Sequence, residues 1–249
     1  MFNGLKIFIS KITKPLSFSV LFILSLIILT KAENDINQPL KFDEAALQAD
    51  EMNYQNRLNQ TLKNLIYNQD EGISSYYGAK FHGRKTSSGE KFDVNKYTAA
   101  HKTLPMGSII KVTNISNNKT SLAIINDRGP FIRKRIIDLS TKVAKKINGL
   151  GIPKVKIEYF NSTEALDSIS LNNKFIAFPL ISDLQIVELE QMNVLKETTD
   201  FNEAAELIHQ LQEINPNISY SLCVNANEYF NSNSRTYYIA IIPTTQKAI

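Results

Sequence analysis

Residues 121–131 read SLAIINDRGPF, an apolar run that ends in a carboxylate and a rigid turn. The run has the composition of a buried strand, and Gly129-Pro130 ends it. Asp127 therefore stands at the end of a strand, before a fixed turn, where its side chain is held in place and open to a groove. Two interpretations remain for Asp127: it caps the turn by accepting backbone N–H groups, or it carries chemistry.

The sequence around this strand alternates short β-type runs with Gly, Pro and Asn. Strands are predicted over residues 73–77, 108–115, 120–126, 135–139 and 154–160. Asn117-Asn118 indicates a hairpin turn, because Asn tolerates positive φ angles. Ser140 is a favourable N-cap for a short helix over residues 141–147. Short strands with one or two helices predict a mainly β fold, and favour a small closed barrel over an open sheet.

The formal net charge of +4 conceals a strong division along the chain. Counted by segment, the net charge is +4 over residues 1–32, −5 over 33–71, +12 over 72–160 and −7 over 161–249. Such asymmetry predicts separate units, of which the basic one faces an anionic partner. A single cysteine excludes an intramolecular disulfide, and with only three histidines no metal site is expected.

The N-terminal segment has the pattern of an export signal. Lys6, Lys11 and Lys14 precede an apolar run over residues 16–30. The run is shorter than the ~20 residues that cross a bilayer comfortably. Residues 1–32 are therefore expected to be a signal peptide cleaved after Ala32 or an uncleaved N-terminal anchor, and the remainder is exported in both cases.

Two acidic segments flank the basic unit. Residues 33–71 are predicted to form a linker or a helix. Residues 161–249 are predicted to form a small α+β module, with strands over 175–180, 218–224 and 237–242 and a helix over 202–214. Cys223, in an apolar strand, is expected in its core. The negative charge of this module fits two roles, packing against the basic unit or binding another protein.

Two further polar residues of the basic unit stand out. Glu90 lies in the polar loop TSSGE (86–90), and His101 ends the segment TAAH (98–101). Each also has a structural interpretation, a solvated loop carboxylate and a hydrogen-bonded structural histidine. No one of Glu90, His101 and Asp127 is specific by itself.

The ordered combination of motifs is specific. The motifs are GISSYYG (72–78), FHGR (81–84), TSSGE (86–90), TAAH (98–101), LP (104–105), VTN (112–114), NDRGPF (126–131) and RIIDLS (135–140). Their order resembles that of the rare lipoprotein A family of bacterial septal-ring lytic transglycosylases, over residues 72–160. The resemblance implies a six-stranded double-psi β-barrel with one or two short helices, followed here by the small α+β module.

The resemblance also implies a site and an activity. Glu90, His101 and Asp127 match the family's active-site cluster. Such enzymes cleave the β-1,4 bond between N-acetylmuramic acid and N-acetylglucosamine, and leave 1,6-anhydro ends without consuming water or needing a cofactor. Asp127 is the expected acid/base, with a pKa raised by partial burial. Glu90 is expected to position the sugar or to take part in proton transfer, and His101 is expected to donate a hydrogen bond.

Other side chains of the basic unit have less specific predicted roles. Tyr76, Tyr77 and Phe81 are candidates for contact with sugar rings, with the barrel core as the alternative. Arg128 is expected to pair either with Asp138 or with the substrate. Asp138, between two apolar residues, is interpreted as a structural carboxylate.

The expected partner is the peptidoglycan glycan strand, whose stem-peptide carboxylates suit a basic surface. Export argues against nucleic acid, and places the protein in the periplasm or cell envelope of a Gram-negative-type bacterium. Contact with the membrane is expected only through an uncleaved N-terminal segment, and Ile28-Leu-Thr-Lys-Ala32 offers no Cys for a lipid anchor. Residues 161–249 are a candidate surface for division-site or envelope proteins.

Two other functions are compatible with the same sequence. An expansin-like barrel binds or loosens polysaccharide without cutting it, and a barrel that has lost its activity serves as an interaction protein at the division site. Glu90, His101 and Asp127 together favour catalysis, because binding alone requires no acid/base.

Overall fold

The computed structural model describes residues 48–50, 52–53, 67–160, 174–229 and 235–243. The chain divides into two compact units, residues 1–58 and 59–249. In the first unit, residues 48–50 and 52–53 are helical, within the segment predicted as an acidic linker or helix. The predicted signal peptide or anchor lies outside the described residues. In the part of the chain that the structure covers, no helix combines the length and the apolar character of a membrane span.

Six strands of the second unit close into a barrel. They are β1 (Tyr67–Tyr76), β2 (Thr98–His101), β3 (Ile109–Asn114), β4 (Thr120–Asp127), β5 (Arg135–Leu139) and β6 (Lys154–Phe160). Their order around the barrel is β1-β5-β2-β4-β3-β6. The pairs β1–β5 and β2–β4 are parallel, and the remaining pairs are antiparallel. The mainly β fold and the closed six-stranded barrel, of the double-psi type, are confirmed.

Local sequence signals explain how the barrel strands are joined. The hairpin between β3 and β4 turns at Asn118, which has a φ of 56°. The short helix α1 (Thr141–Lys146) begins at Ser140, whose hydroxyl accepts a hydrogen bond from the backbone N–H of Val143 at 3.3 Å. Asn148, with a φ of 50°, follows its end. Hairpin, cap and helix end lie where the sequence predicts them.

The C-terminal part is a five-stranded antiparallel sheet with one long helix. Its elements are β7 (Lys174–Pro179), β8 (Gln185–Glu188), β9 (Asn193–Thr198), α2 (Phe201–Ile214), β10 (Tyr220–Asn225) and β11 (Tyr237–Ile241). The strand order is β8-β7-β10-β11-β9. Asp200 caps α2 by accepting hydrogen bonds from the N–H groups of Asn202 and Glu203. Cys223 is fully buried in β10, as its apolar neighbours predict.

The sheet and α2 pack directly on the barrel. One set of buried apolar residues runs from the barrel, with Leu122 and Ile157, into α2 and the sheet, with Ile208 and Leu222. The acidic side of α2 also meets the basic α1, and Lys142 forms an ion pair with Glu206 at 2.6 Å. The acidic module therefore folds back on the barrel, one of the two roles that its charge suggested.

Candidate active site

Asp127 ends β4, and its carboxylate is tied to two other segments of the barrel. Its Oδ1 accepts hydrogen bonds from the backbone N–H of Ser87 at 2.9 Å, from the Ser87 hydroxyl at 2.7 Å and from the N–H of Arg128 at 2.8 Å. Its Oδ2 accepts a hydrogen bond from the Tyr77 hydroxyl at 3.3 Å. Asp127 is only partly buried. The carboxylate is thus fixed in orientation while part of it stays accessible.

An aromatic group stands beside this carboxylate. The ring of Tyr77 packs against Phe81 and Phe92, with centroid distances of 5.4 and 5.2 Å. Burial, aided by the charges of Asp127 and Asp138, raises the pKa of the Tyr77 hydroxyl, which therefore keeps its proton near neutral pH. Tyr77 thus lies next to Asp127, and Phe81 packs against Tyr77.

Tyr76 lies differently from its neighbour Tyr77. Successive side chains of a strand point to opposite faces. Ser75 points toward Asp138, so Tyr76 points to the opposite face of β1, and it is exposed. The structure does not bring Tyr76 into the group around Asp127.

Glu90 reaches the same region from the loop before β2. Its Oε2 accepts a hydrogen bond at 3.3 Å from the side-chain amide of Asn126, the residue that precedes Asp127. The loop is closed by the backbone N–H of Thr86, which donates to the carbonyl of Glu90 at 2.8 Å. Glu90 is exposed. It therefore flanks the end of β4 as a solvent-accessible carboxylate.

His101 ends β2, one residue after Ala100, the register partner of Asp127. Its Nδ1 accepts hydrogen bonds from the backbone N–H groups of Thr103 at 3.3 Å and Leu104 at 3.0 Å. The proton of a neutral ring therefore lies on Nε2. Burial lowers the pKa of His101, so the ring is a neutral donor at neutral pH.

Arg128 contacts the backbone at and after the end of β2, a partner that the sequence analysis did not name. Its Nη1 donates hydrogen bonds to the backbone carbonyls of His101 at 3.3 Å and Leu104 at 2.8 Å. Arg128 therefore ties the loop after β2 to the end of β4. The contact positions His101 relative to Asp127.

Asp138, interpreted from the sequence as a structural carboxylate, lies one strand away from Asp127. It lies in β5 and pairs with Ala100 of β2 on one side and Ser75 of β1 on the other. The Ser75 hydroxyl donates to its Oδ1. Burial raises the pKa of Asp138, against the opposing effects of Ser75 and Arg135, and the nearby charge of Asp127 raises it further. The signal available in the sequence is a carboxylate flanked by Ile137 and Leu139.

Two features of the turn after Asp127 shape the cleft. Gly129 has a φ of 139°, a backbone conformation that disfavours side chains, and the place of its missing Cβ is 3.6 Å from both Asp138 Oδ2 and the Tyr77 hydroxyl. Beyond it, the Phe131 ring is 90% exposed and Ile132 is 55% exposed. Phe131 is thus an accessible aromatic surface beside the carboxylates, which the sequence analysis did not assign.

No group of three or more potential metal ligands occurs among the described residues. The side chains that the structure brings together around Asp127 supply carboxylates, a neutral imidazole and hydroxyl groups. Such a set is suited to proton transfer, because its carboxylates lie in different environments and next to hydrogen-bond donors.

Comparison with known proteins agrees with this geometry. Residues 69–159 match the family model described as lytic transglycolase. The chain is 48% identical over 107 residues to the endolytic peptidoglycan transglycosylase RlpA of Campylobacter jejuni, covering 41% of this chain and 39% of the relative. It is 50% identical over 101 residues to the protein of that name from Rickettsia felis, covering 38% and 44%. The identity to the one from Neisseria meningitidis serogroup A is 53% over 89 residues, covering 35% and 37%.

The chain thus spans less than half the length of these three relatives. Among solved structures, the Streptomyces papain inhibitor matches with 21% identity over 38% of this chain and 96% of its own, with a TM-score of 0.31, too low to support an argument. The family match coincides with the six-stranded barrel and includes Glu90, His101, Asp127 and Asp138. The barrel formed by residues 69–159 is therefore similar to the lytic transglycolase family model and to the matching part of the relatives named endolytic peptidoglycan transglycosylase RlpA.

Proposed function

We propose that this chain is a peptidoglycan lytic transglycosylase that cleaves the β-1,4 bond between N-acetylmuramic acid and N-acetylglucosamine and leaves 1,6-anhydro ends. The reaction serves cell-wall remodelling or the separation of daughter cells. The observation that carries the proposal is Asp127, an accessible carboxylate oriented by Ser87 and Tyr77. It lies in a barrel whose relatives are named endolytic peptidoglycan transglycosylases.

The reaction needs proton transfer but no external water. The leaving oxygen of N-acetylglucosamine must gain a proton, and the 6-hydroxyl of the muramic acid must lose one as it attacks the anomeric carbon. An ordinary glycosidase needs a carboxylate to act as nucleophile or to activate water. Here the attacking hydroxyl belongs to the substrate itself, so Asp127 acts as the carboxyl group that exchanges protons with the sugar.

Glu90 and His101 assist from either side of the cleft. The neutral His101 ring presents Nε2–H as a donor, because Nδ1 is occupied by backbone N–H groups. It is suited to hold a sugar hydroxyl or carbonyl oxygen. Glu90 is exposed and lies beside Asn126, so it is suited to accept hydrogen bonds from sugar hydroxyls. Both are proposed to orient the glycan strand so that the 6-hydroxyl of the muramic acid faces its anomeric carbon.

The surface around the cleft suits an anionic glycan. Tyr77, Phe81 and the exposed Phe131 offer apolar faces for sugar rings. Lys80 and Arg84 lie 5.3 and 5.2 Å from the centre of the Phe81 ring and add positive charge there. Because stem peptides carry carboxylates, these charges would concentrate the polymer at the site. Tyr76 lies on the opposite face of β1, so only a glycan strand that wraps around the barrel would contact it.

The proposed place of action is the periplasm or cell envelope, after export by residues 1–32. Contact with the membrane is proposed only through that segment if it is retained. The module that follows the barrel has an exposed acidic surface, with Glu190 and Glu197. A division-site or envelope protein is proposed to bind there.

The test is incubation with peptide-stripped glycan strands, followed by mass spectrometry. We expect anhydro-muramyl ends from the wild type and at least a hundredfold loss for Asp127→Asn, since acid/base groups contribute about 10²–10⁴ in rate. Glu71→Gln is the matched control, because Glu71 is an exposed barrel carboxylate paired with Lys154. Its activity should equal that of the wild type.

Other outcomes would contradict the proposal in different ways. Binding to sacculi without any product would indicate a non-catalytic wall-binding module. Reducing ends in place of anhydro ends would indicate hydrolysis and a second catalytic carboxylate, for which Glu90 is the candidate. If the protein neither binds sacculi nor forms product, a role in protein interaction would remain.

A further inference from the structure

Two carboxylates lie on either side of one small residue. Ala100 of β2 is the register partner of Asp127 on the β4 side and of Asp138 on the β5 side. Neighbouring strands are about 4.8 Å apart, so the backbones of the two aspartates are separated by a single strand. Ala100 is fully buried and fills little space. The barrel thus places two carboxyl groups on the two strands that flank β2.

The two groups differ in what surrounds them. Asp127 Oδ1 accepts three hydrogen bonds, two from Ser87 and one from Arg128. These three donors hold Oδ1 in place, so that Oδ2 is the oxygen on which Asp127 would take up a proton. Asp138 accepts a hydrogen bond from the Ser75 hydroxyl, and burial raises its pKa. When charges at adjacent sites repel each other, one proton settles on the site that is harder to ionise.

The Tyr77 hydroxyl and the carboxyl group of Asp138 border the same small space. The Tyr77 hydroxyl donates to Asp127 Oδ2 at 3.3 Å. The same hydroxyl and Asp138 Oδ2 each lie 3.6 Å from the place of the missing Gly129 Cβ. The space is open because Gly129 has no side chain. Tyr77, Asp138 and the backbone of Gly129 therefore line one small space next to Asp127.

Building on the proposed function, we propose that Asp138 is the catalytic acid of the reaction and Asp127 its base. The proton of Asp138 passes to the leaving oxygen of N-acetylglucosamine as the bond from that oxygen to the anomeric carbon breaks. The 6-hydroxyl oxygen bonds to the anomeric carbon, and its proton passes to Asp127. Transfer of a proton from Asp127 to Asp138 then restores both groups, so that no water and no other reactant is consumed.

The charged and titratable groups that face Asp138 set its behaviour with pH. Arg135 lies on its own strand and favours the ionised form, as does the hydroxyl of Ser75 on β1. Asp127 on the β4 side opposes ionisation, and Tyr77 keeps its proton and stays neutral. Activity should therefore fall on the alkaline side as Asp138 loses its proton.

The experiment compares two substrates with the full chain. One is peptide-stripped glycan, whose leaving group must be protonated. The other is an N-acetylmuramic acid β-glycoside of 2,4-dinitrophenol, a leaving group that departs as the anion. For Asp138→Asn we expect about a 10²–10⁴-fold loss on glycan but less than about a tenfold loss on the dinitrophenyl glycoside. For Asp127→Asn we expect a comparable loss on both substrates.

The outcomes separate this inference from the function on which it rests. A wild type that forms no anhydro ends from glycan overturns the proposed function and the inference with it. If the wild type is active, an Asp138→Asn variant that matches it on glycan, or that loses both substrates equally, overturns the role of Asp138 alone.

Ser75→Ala provides an independent measurement if Asp138→Asn fails to fold. Removing the Ser75 hydroxyl takes away a group that favours ionised Asp138. The alkaline limb of the kcat/KM profile on glycan should therefore move to higher pH. A uniform loss of activity at all pH values, with no movement of that limb, would show a merely structural role for this pair and overturn the assignment.

Discussion

Ser87 donates two hydrogen bonds to one oxygen of Asp127, from its backbone N–H at 2.9 Å and from its hydroxyl at 2.7 Å. The two residues are 40 positions apart in the chain. Asp127 is therefore oriented by a loop as well as by the strand that carries it. Because Ser87 is exposed, its side chain contributes to the site and little to the core.

Ser87→Ala should lower the activity on glycan strands without unfolding the barrel. The hydroxyl bond to a charged group is worth about 1.5–3 kcal/mol, which corresponds to roughly a 10- to 150-fold loss of kcat/KM. Ser88→Ala is the matched control, because the Ser88 hydroxyl contacts Thr86 at 3.0 Å. Equal activities for the two variants would show that the Ser87 hydroxyl does not orient Asp127.

Gly129→Ala should damage both stability and activity. Gly129 has a φ of 139°, and a new Cβ would stand 3.6 Å from Asp138 Oδ2 and the Tyr77 hydroxyl. A non-glycine residue in such a conformation costs of order 1–3 kcal/mol. The midpoint of urea unfolding should fall, and product formation should fall by more than the folded fraction. Gly78→Ala is the control, because an added Cβ meets nothing within 4 Å there.

The parts of the barrel that the sequence predicted well are those with strong local signals. The strands over Arg135–Leu139 and Lys154–Phe160 match their predicted bounds, and Ser140 caps α1 as expected. β1 begins at Tyr67, six residues before its prediction, because its first half is polar and gains order from pairing with β6. β2 was missed, since four residues that include two alanines carry little β signal.

Local sequence signals are also insufficient to predict the full site and all strands of the C-terminal sheet. Asp127, Glu90 and His101 were identifiable from motifs, but the place of Asp138 beside Asp127 depends on strand order around the barrel. No local pattern encodes that order. The strands β8 and β9 were also missed, because β9 is largely exposed and its sequence is polar. Whether such segments form strands depends on their pairing with strands that are distant in the chain, and a single sequence does not reveal that pairing.

The buried pair Lys111–Glu158 should be more sensitive to loss of one partner than of both. Its atoms are 3.1 Å apart, with side-chain exposures of 5% and 1%. Glu158→Gln leaves Lys111 buried without its counter-charge, at a cost of about 3–5 kcal/mol. The double variant Lys111→Met, Glu158→Leu should recover much of that loss. Urea unfolding measures both, and a double variant less stable than Glu158→Gln would contradict this account.

His209 should make the protein less stable in mild acid. Its ring stacks on Tyr97 at a centroid distance of 5.5 Å, and its Nε2 lies 3.1 Å from the Ser121 hydroxyl, between α2 and the barrel. Burial lowers its pKa from 6.5 to about 4. Between these values the unfolded chain binds more protons than the folded one, so the stabilisation present above pH 6.5 is lost as the pH falls toward 4.

The loss attributable to His209 should approach about 3 kcal/mol at pH 4. His209→Gln retains a hydrogen-bonding side chain toward Ser121 but does not titrate, so it isolates this contribution from those of the carboxylates. The free energy of unfolding of the wild type, measured in urea from pH 7 to pH 4, should therefore fall more steeply than that of the variant. Parallel curves would mean that His209 is protonated in the folded state, and that the contact between α2 and the barrel tolerates its charge.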